Sequence, residues 1–400
     1  MKIVQINSVC SVGSTGRIAV NLSKKMVENN IENYIIYGIG YSDYSLGIKI
    51  GNNFNIKTHQ LHTRLLGWHG YASKLATKQL IQELDRIKPD IVHLHNIHGF
   101  YVNIELLFKY LSRIDKPVVW TLHDCWSFTG HCVHFDYIGC DRWKTGCYDC
   151  PQIDSYPTSW FFDRSKEQWE KKKSLITSVN NLCIVTPSQW LASLVKQSFL
   201  NKYDIKVINN GIDTELFRPR NNNFREENEL SNKHIILGVA SSWSSRKGLT
   251  DFFKLEEKLD ENYKIVLVGL TERQKEQLPR NIMGITRTHN IQDLADLYSS
   301  ANVFVNPTWE DTFPTVNLEA LACGLPVITY NTGGSNECVS EKTGLVVNKG
   351  DINGLMSAIN TIKNNKKKDY STNCVKRASD LYDMNKKYEE YISLYRNIKG

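Results

Sequence analysis

No stretch of the 400 residues approaches the roughly 20 consecutive apolar residues of a membrane-spanning helix. The start, Met1-Lys2-Ile3-Val4-Gln5-Ile6-Asn7, reads as a strand and not as a signal peptide, so a cytoplasmic location is expected, including the inner face of the cell membrane. No zinc-finger pattern, ribonucleoprotein aromatic motif or arginine-rich tract is present, and the net charge of +7 is modest and mixed in sign, so nucleic acid is not an expected partner. The lysine runs Lys171 to Lys173 and Lys366 to Lys368 read as solvated helix faces, with a weak attraction to anionic lipid or a lipid-linked phosphate. A full dinucleotide fingerprint is missing as well. Gly13 and Gly16 follow the first apolar run, but no third glycine stands at the required place and no acidic partner follows about 20 residues on, which argues against a dinucleotide-dependent oxidoreductase.

What is present is a repeated alternation. Apolar runs at 33–39, 90–96 and 117–124 are separated by helical stretches at 74–88 and 104–114, and a second series runs through 234–240, 263–270, 281–290 and 302–307. Strands alternating with helices imply parallel sheets covered by helices, and the length favours two such domains, an α/β chain of two doubly wound Rossmann-like halves with the boundary near residue 205. Ligands of such sheets bind beyond the carboxyl ends of the strands, which makes the terminal polar residues His95, Asn96, His123 and Asp124 candidates for function. Gly13 and Gly16 lie in a turn between strand and helix, where backbone can approach a ligand closely.

The stretch Trp309 to Thr329 carries the strongest signal. A helix is expected to open near Thr312 or Phe313, with Asp311 and Thr312 accepting from its free N–H groups, Pro314 in the first turn and Gly324 at its end. Such a start offers bare N–H groups and a positive dipole end to an anion, so Phe313, Pro314 and Thr315 are candidate phosphate contacts. Glu319 stands about two turns in, among Val316, Leu318, Ala320, Leu321 and Ala322, where an ionised carboxylate is costly unless paired; ligand hydroxyls would suit it. Arg246 and Lys247, in a loop after a strand, supply the cationic side of a diphosphate site.

These residues resemble a known family, the retaining GT-B glycosyltransferases of family 4. Its second domain carries an acidic residue, seven intervening residues and a glutamate, then a helix reading roughly E-A-x-A-x-G-x-P-V; Asp311 to Glu319 has that spacing, and Glu310 is one residue out of register. The resemblance implies two domains facing a central cleft: 1–204 for the acceptor and 205–379 for a nucleotide diphosphate sugar, with a terminal helix in 380–400 packing back on the first. By the same resemblance, the Gly13 and Gly16 loop covers the donor phosphate and His123 contacts the donor sugar. Lys247 meets the diphosphate, with Arg246 substituting for an arginine the family places where Ser242 stands. His289 and Asn290 hold the nucleobase, Asp311 the sugar hydroxyls and Glu319 the ribose. It also implies transfer with retention of configuration. With Lys247, Arg246 and the helix start at Phe313 to Thr315 neutralising the leaving group, no metal or cofactor is expected for catalysis. The acceptor is expected to be a saccharide on a polyprenyl diphosphate, in O-antigen, capsule or exopolysaccharide assembly. A nucleotide-sugar hydrolase or epimerase and a non-catalytic zinc-containing scaffold are the rival readings.

The segment from Gly130 to Pro151 holds four of the ten cysteines, Cys132, Cys140, Cys147 and Cys150. Disulfides are rare in the cytosol, so these side chains suggest either a structural tetrahedral zinc site or unliganded buried thiols.

Overall fold

The first strand, β1 (Lys2–Val9), is buried along its whole middle, as expected of a strand with helices on both faces. A computed structural model describes residues 1–365 and 367–399; the side chains of the run Lys366 to Lys368 lie outside the described residues. The chain divides into two compact units, Met1–Ile208 with the terminal stretch from Tyr388 onward, and Asn209–Lys387.

In the first unit, β1 is joined by β2 (Glu32–Ile39), β3 (Gly47–Lys49), β4 (Ile91–Leu94), β5 (Val118–Thr121), β6 (Leu182–Thr186) and β7 (Asp204–Val207). They form one sheet in the order β3-β2-β1-β4-β5-β6-β7. Every pairing is parallel. The crossovers carry α1 (Gly13–Glu28), α2 (Asn53–Leu66), α3 (Lys74–Ile87), α4 (Ile104–Leu111), α5 (Ser165–Thr177) and α6 (Gln189–Gln197).

In the second unit, β8 (His234–Val239), β9 (Tyr263–Val268), β10 (Ile282–Ile285), β11 (Val303–Asn306), β12 (Val327–Tyr330) and β13 (Gly344–Val347) form a sheet in the order β10-β9-β8-β11-β12-β13. Its pairings are parallel too. Its helices are α7 (Phe224–Glu227), α8 (Leu249–Glu256), α9 (Glu272–Glu276), α10 (Ile291–Ser300), α11 (Thr315–Ala322), α12 (Ile352–Asn364) and α13 (Lys367–Leu381); α14 (Met384–Lys399) follows. Within the first unit, the Tyr391 and Tyr395 hydroxyls of α14 reach the Thr121 hydroxyl at 3.1 Å and the His93 ring at 2.7 Å.

The strand order reverses once in each sheet, between β1 and β4 and between β8 and β11. In open α/β sheets the crevice beyond the carboxyl ends at such a reversal is where ligands bind. Among the described residues no helix is long and apolar enough to cross a membrane.

Candidate functional site

At the reversal in the second unit, the loops after β8 and β11 meet. Residues 245–247 form a single tight turn ended by Gly248. Gly248 has a φ of +82°, and a Cβ there would strike the Pro307 carbonyl, so only glycine lets this loop press against the end of β11. The Trp309 N–H donates to the Arg246 carbonyl at 2.9 Å and fixes the two loops to each other. Two ion pairs result: Lys247 Nζ stands 2.6 Å from Asp311 Oδ2, and Arg246 Nη1 stands 3.1 Å from Glu310 Oε1. Glu310 is buried whereas Asp311 and Lys247 are partly exposed, so the two neighbouring acids occupy different environments.

α11 does not open where the sequence suggested. It starts at Thr315, Pro314 is its N-cap residue, and no side chain caps it. Phe313 precedes a proline and is sterically kept out of helical backbone, which moves the start past Pro314. Asp311 accepts from the Phe313 N–H at 3.3 Å and so braces the loop, not the helix. The Phe313 ring is buried against Tyr382, leaving its backbone as the part near the helix start. Gly324 does follow the last turn, with a φ of +73°.

Glu319 is buried and its Oε2 accepts from the Tyr298 hydroxyl of α10 at 2.8 Å. Burial and the adjoining carboxylate push the Tyr298 phenol well above its ordinary range, which keeps it protonated as the donor. Tyr298 gave no signal in sequence beyond its aromatic character. Asn290 is the N-cap of α10: its side chain accepts from the Asp293 N–H at 2.8 Å, so that oxygen is taken up by the helix. His289 is exposed beside it. β10 ends at Ile285, well short of Asn290, and both residues lie in the turn that follows.

At the reversal in the first unit, Gly13 and Gly16 fall in the first turn of α1 instead of a separate glycine loop. A Cβ on Gly16 would stand 3.2 Å from the Ser11 nitrogen and from Val9 Cγ2, so this glycine sets how closely α1 starts against the end of β1. Gly13 has a φ of +66° and open space around its Cα.

His123 ends a chain of buried polar groups. The Gln5 amide donates to the Ala19 carbonyl at 3.0 Å, which directs its oxygen to His95 Nε2 at 2.9 Å. That nitrogen must therefore carry the proton, and His95 Nδ1 accepts from His123 Nε2 at 3.1 Å. Neutral His123 consequently has its proton on Nε2 and its lone pair on Nδ1. Beside it, the Asp124 carboxylate contacts His98 Nε2 at 2.7 Å, and the Tyr156 hydroxyl reaches His98 Nδ1 at 3.2 Å. Burial works to raise the Asp124 carboxyl, but the His98 ring bonded to it and the Trp126 N–H bring it down to about 2. His98 and Tyr156 stand apart from the strand-end pattern and are joined to Asp124 only by the fold.

Comparison with known proteins decides the family. A family described as Glycosyltransferase Family 4 matches residues 15–216, half of the chain, and one described as Glycosyl transferases group 1 matches residues 233–365. The chain belongs to Glycosyltransferase Family 4. It is 24% identical over an alignment of 421 residues, covering 100% of both chains, to the glycosyl transferase WcaC of Escherichia coli (strain K12), which is named for colanic acid biosynthesis. It is also 24% identical over 219 residues, 50% of this chain and 56% of the relative, to a UDP-Gal:alpha-D-GlcNAc-diphosphoundecaprenol alpha-1,3-galactosyltransferase of Escherichia coli. Among solved structures, Anabaena Alr3699/HepE in complex with UDP superposes with a TM-score of 0.70 at 16% identity, over 99% of this chain and 100% of that one. The two parallel-sheet units are those of a GT-B glycosyltransferase.

In the cysteine segment of this glycosyltransferase, a zinc site is not shown among the described residues. Cys132, Cys140, Cys147 and Cys150 line one small cavity, yet among the described residues no three His, Cys, Asp or Glu side chains are gathered as a group that could hold a metal ion. Burial drives the Cys132 thiol well above its usual range, Cys147 to about 11 and Cys150 to about 12. The Gly130 N–H donates to Cys147 Sγ at 3.1 Å, and the charge of Lys172 already acts on Cys132 and Cys147. Lys172 also corrects the reading of Lys171 to Lys173 as a solvated face: its side chain is fully buried, while Lys171 and Lys173 are exposed.

Burial takes His59 and His93 down to about 3 and His123 and His131 to about 4, and His69 and His95 well below their ordinary value. The folded pKa values lie below the unfolded value of about 6.5, so the stability these rings contribute is fully present above that pH and is lost as pH falls toward 4. Thermal unfolding should accordingly show a midpoint that falls steadily from pH 7 to pH 5. A midpoint unchanged over that range would contradict the neutral, buried state of these rings.

Proposed function

We propose that the chain transfers a sugar from a nucleotide diphosphate sugar to a saccharide, that the second unit binds the donor and the first the acceptor, and that configuration is retained. The observation that carries this reading is the Lys247–Asp311 pair at 2.6 Å beside the start of α11, a helix with no side-chain cap. A diphosphate leaving group departs as an anion. Lys247, Arg246 and the N–H groups of Thr315 and its neighbours would neutralise it, with no metal needed for that step. Asp311, released from Lys247 when the diphosphate arrives, would accept hydroxyls of the donor sugar, and Glu319, oriented by Tyr298, the ribose hydroxyls. His289 would face the nucleobase. His123 would contact the donor sugar.

The acceptor proposed is a saccharide on a polyprenyl diphosphate, in bacterial surface-polysaccharide assembly at the inner face of the cell membrane. The name of WcaC and the undecaprenol diphosphate acceptor in the name of the galactosyltransferase relative support it. The UDP in the Anabaena structure supports a uridine nucleotide as the first donor to try. Purified protein titrated with a panel of nucleotide sugars should show a raised melting temperature with its donor, and with that donor it should elongate a lipid-linked saccharide in detergent far better than the free sugar. Absence of a response to every nucleotide would sink the donor site, and preference for the free sugar would sink the lipid-linked acceptor alone.

Glu319→Gln is expected to weaken donor binding by about 1.5–3 kcal/mol, the contribution of a hydrogen bond to a charged group. Calorimetric titration with the donor measures it, and unchanged affinity would remove Glu319 from the ribose.

A further inference from the structure

α2 carries its apolar residues on the wrong side for a core helix. His59 and Thr63 are its buried residues. Phe54, Leu61 and Leu65, at i, i+7 and i+11, lie on the opposite face and are 72%, 51% and 36% exposed. Lys57 and Arg64 flank that stripe. Next to its last turn, Trp160, Phe161 and Phe162 are 54%, 69% and 45% exposed. The Trp160 N–H donates to the Arg64 carbonyl at 2.7 Å, and the Arg64 guanidinium covers the Trp160 ring. Arg164 lies over both Phe162 and Trp68, and Lys171 over both Trp68 and Tyr71, so stacked cations run from the aromatic loop into a cavity of about 670 Å³.

That cavity is lined by Trp68, Tyr71, Lys74, Lys78 and Lys171 among others. The Tyr71 hydroxyl is buried and has no hydrogen-bond partner among the described residues. Its lining carboxylate, Glu105, is already held by Lys109 at 2.6 Å and Lys171 at 3.5 Å, and Glu167 at the edge is held by Arg164 at 2.8 Å. Between Asp43 and Glu83 the sequence contains no carboxylate but five basic residues, Lys49, Lys57, Arg64, Lys74 and Lys78. Lys57, Lys74 and Lys78 are exposed and have no ion pair among the described residues. Exposed aliphatic and aromatic side chains rimmed by such cations are what an anionic bilayer surface complements: the apolar groups enter the headgroup boundary and the basic groups meet phosphates.

We propose that this face of the first unit docks on an anionic lipid bilayer, with Phe54, Leu61, Leu65 and Trp160 to Phe162 at the interface and a lipid headgroup phosphate in the cavity, between Lys74, Lys78, Lys171 and the Tyr71 hydroxyl. It deepens the reading of a lipid-linked acceptor and rests on it only for the presence of a membrane. Vesicle binding needs no acceptor, and acceptor preference in detergent needs no vesicle, so the two can fail separately.

The full chain should co-sediment with phosphatidylcholine vesicles containing phosphatidylglycerol at low salt, and little with phosphatidylcholine alone. The paired changes Lys74→Glu with Lys78→Glu, and Leu61→Glu with Phe161→Glu, should each weaken binding by roughly tenfold or more, with unchanged melting temperatures and unchanged turnover of acceptor in detergent. High salt should weaken the wild type similarly. Should either pair prove unstable, the corresponding alanine pair serves. No binding to the anionic vesicles, equal binding to neutral ones, or variants that bind like wild type would overturn the proposal. So would a wild-type dimer, seen by light scattering, that the Leu61 and Phe161 changes dissociate, because the face would then belong to a second copy of the chain.

Discussion

Lys247→Ala is expected to lower kcat by about 10²–10³-fold, as removal of one preorganised charge at a developing anion does. The direction follows from when the charge is needed. In the structure the Lys247 ammonium is compensated by Asp311 at 2.6 Å, and both groups are partly exposed, so the pair itself contributes little to stability. The proposed donor brings two negative phosphates to the same place. As the sugar–phosphate bond breaks, the terminal phosphate gains a further charge, and the ammonium interacts more strongly with the transition state than with the bound donor. The loss should therefore fall on kcat and kcat/KM together, with a smaller change in KM. Steady-state kinetics over a range of donor concentrations would show it, and a change confined to KM would contradict the leaving-group role. Arg246 makes a useful contrast. Its partner Glu310 is buried, so removing the guanidinium takes a charged partner from a buried carboxylate and adds a stability cost that Lys247→Ala lacks.

Much of the architecture can be read from residue order because the physics behind it is local. Continuously apolar runs such as 118–120 and 303–305 admit only strands covered on both faces, and helical periodicity between them forces parallel crossovers. The spacing from Asp311 to Glu319 is equally local, and it marks the loop and helix that the fold does place at the strand reversal. The exact start of that helix is less local. It depended on the steric effect of Pro314 on the preceding residue overriding two good capping side chains.

Other features are set by tertiary packing and leave no periodic trace. Nothing in 53–66 marks an inward apolar face, because α2 buries a histidine and a threonine and exposes its leucines. The Tyr298–Glu319 bond and the Asp124–His98–Tyr156 cluster join residues 21 to 58 positions apart, and only the folded sheet brings them together. The zinc expectation for the cysteine segment has the same limit: its Cys-x-x-Cys spacing is a local cue, whereas ligation requires a convergence of side chains that spacing alone does not produce.

Lys172→Ala should destabilise the fold by about 2–5 kcal/mol, the range for truncating a long buried side chain to alanine. Lys172 in α5 has no exposed surface. Its ammonium donates to the Trp126 carbonyl at 2.8 Å and to the Thr129 carbonyl at 3.0 Å, and lies 3.5 Å from the centre of the Trp126 ring. Alanine leaves both carbonyls without this donor and opens a void where the four-carbon stem was. Lys172→Met fills the void but leaves the carbonyls, so it should cost less than alanine. Burial lowers the Lys172 pKa to about 7, below its unfolded value near 10.5, so the folded state holds fewer protons than the unfolded state between those limits. The stability this lysine contributes is therefore fully present above pH 10.5 and is lost as pH falls through 7, and the gap between wild type and Lys172→Met should widen from pH 7 to pH 9. Urea unfolding followed by tryptophan fluorescence at the two pH values measures both effects. An alanine variant within about 0.5 kcal/mol of wild type, the scale of a neutral surface change, would show that the fold does not depend on this side chain's contacts with the Trp126 and Thr129 carbonyls.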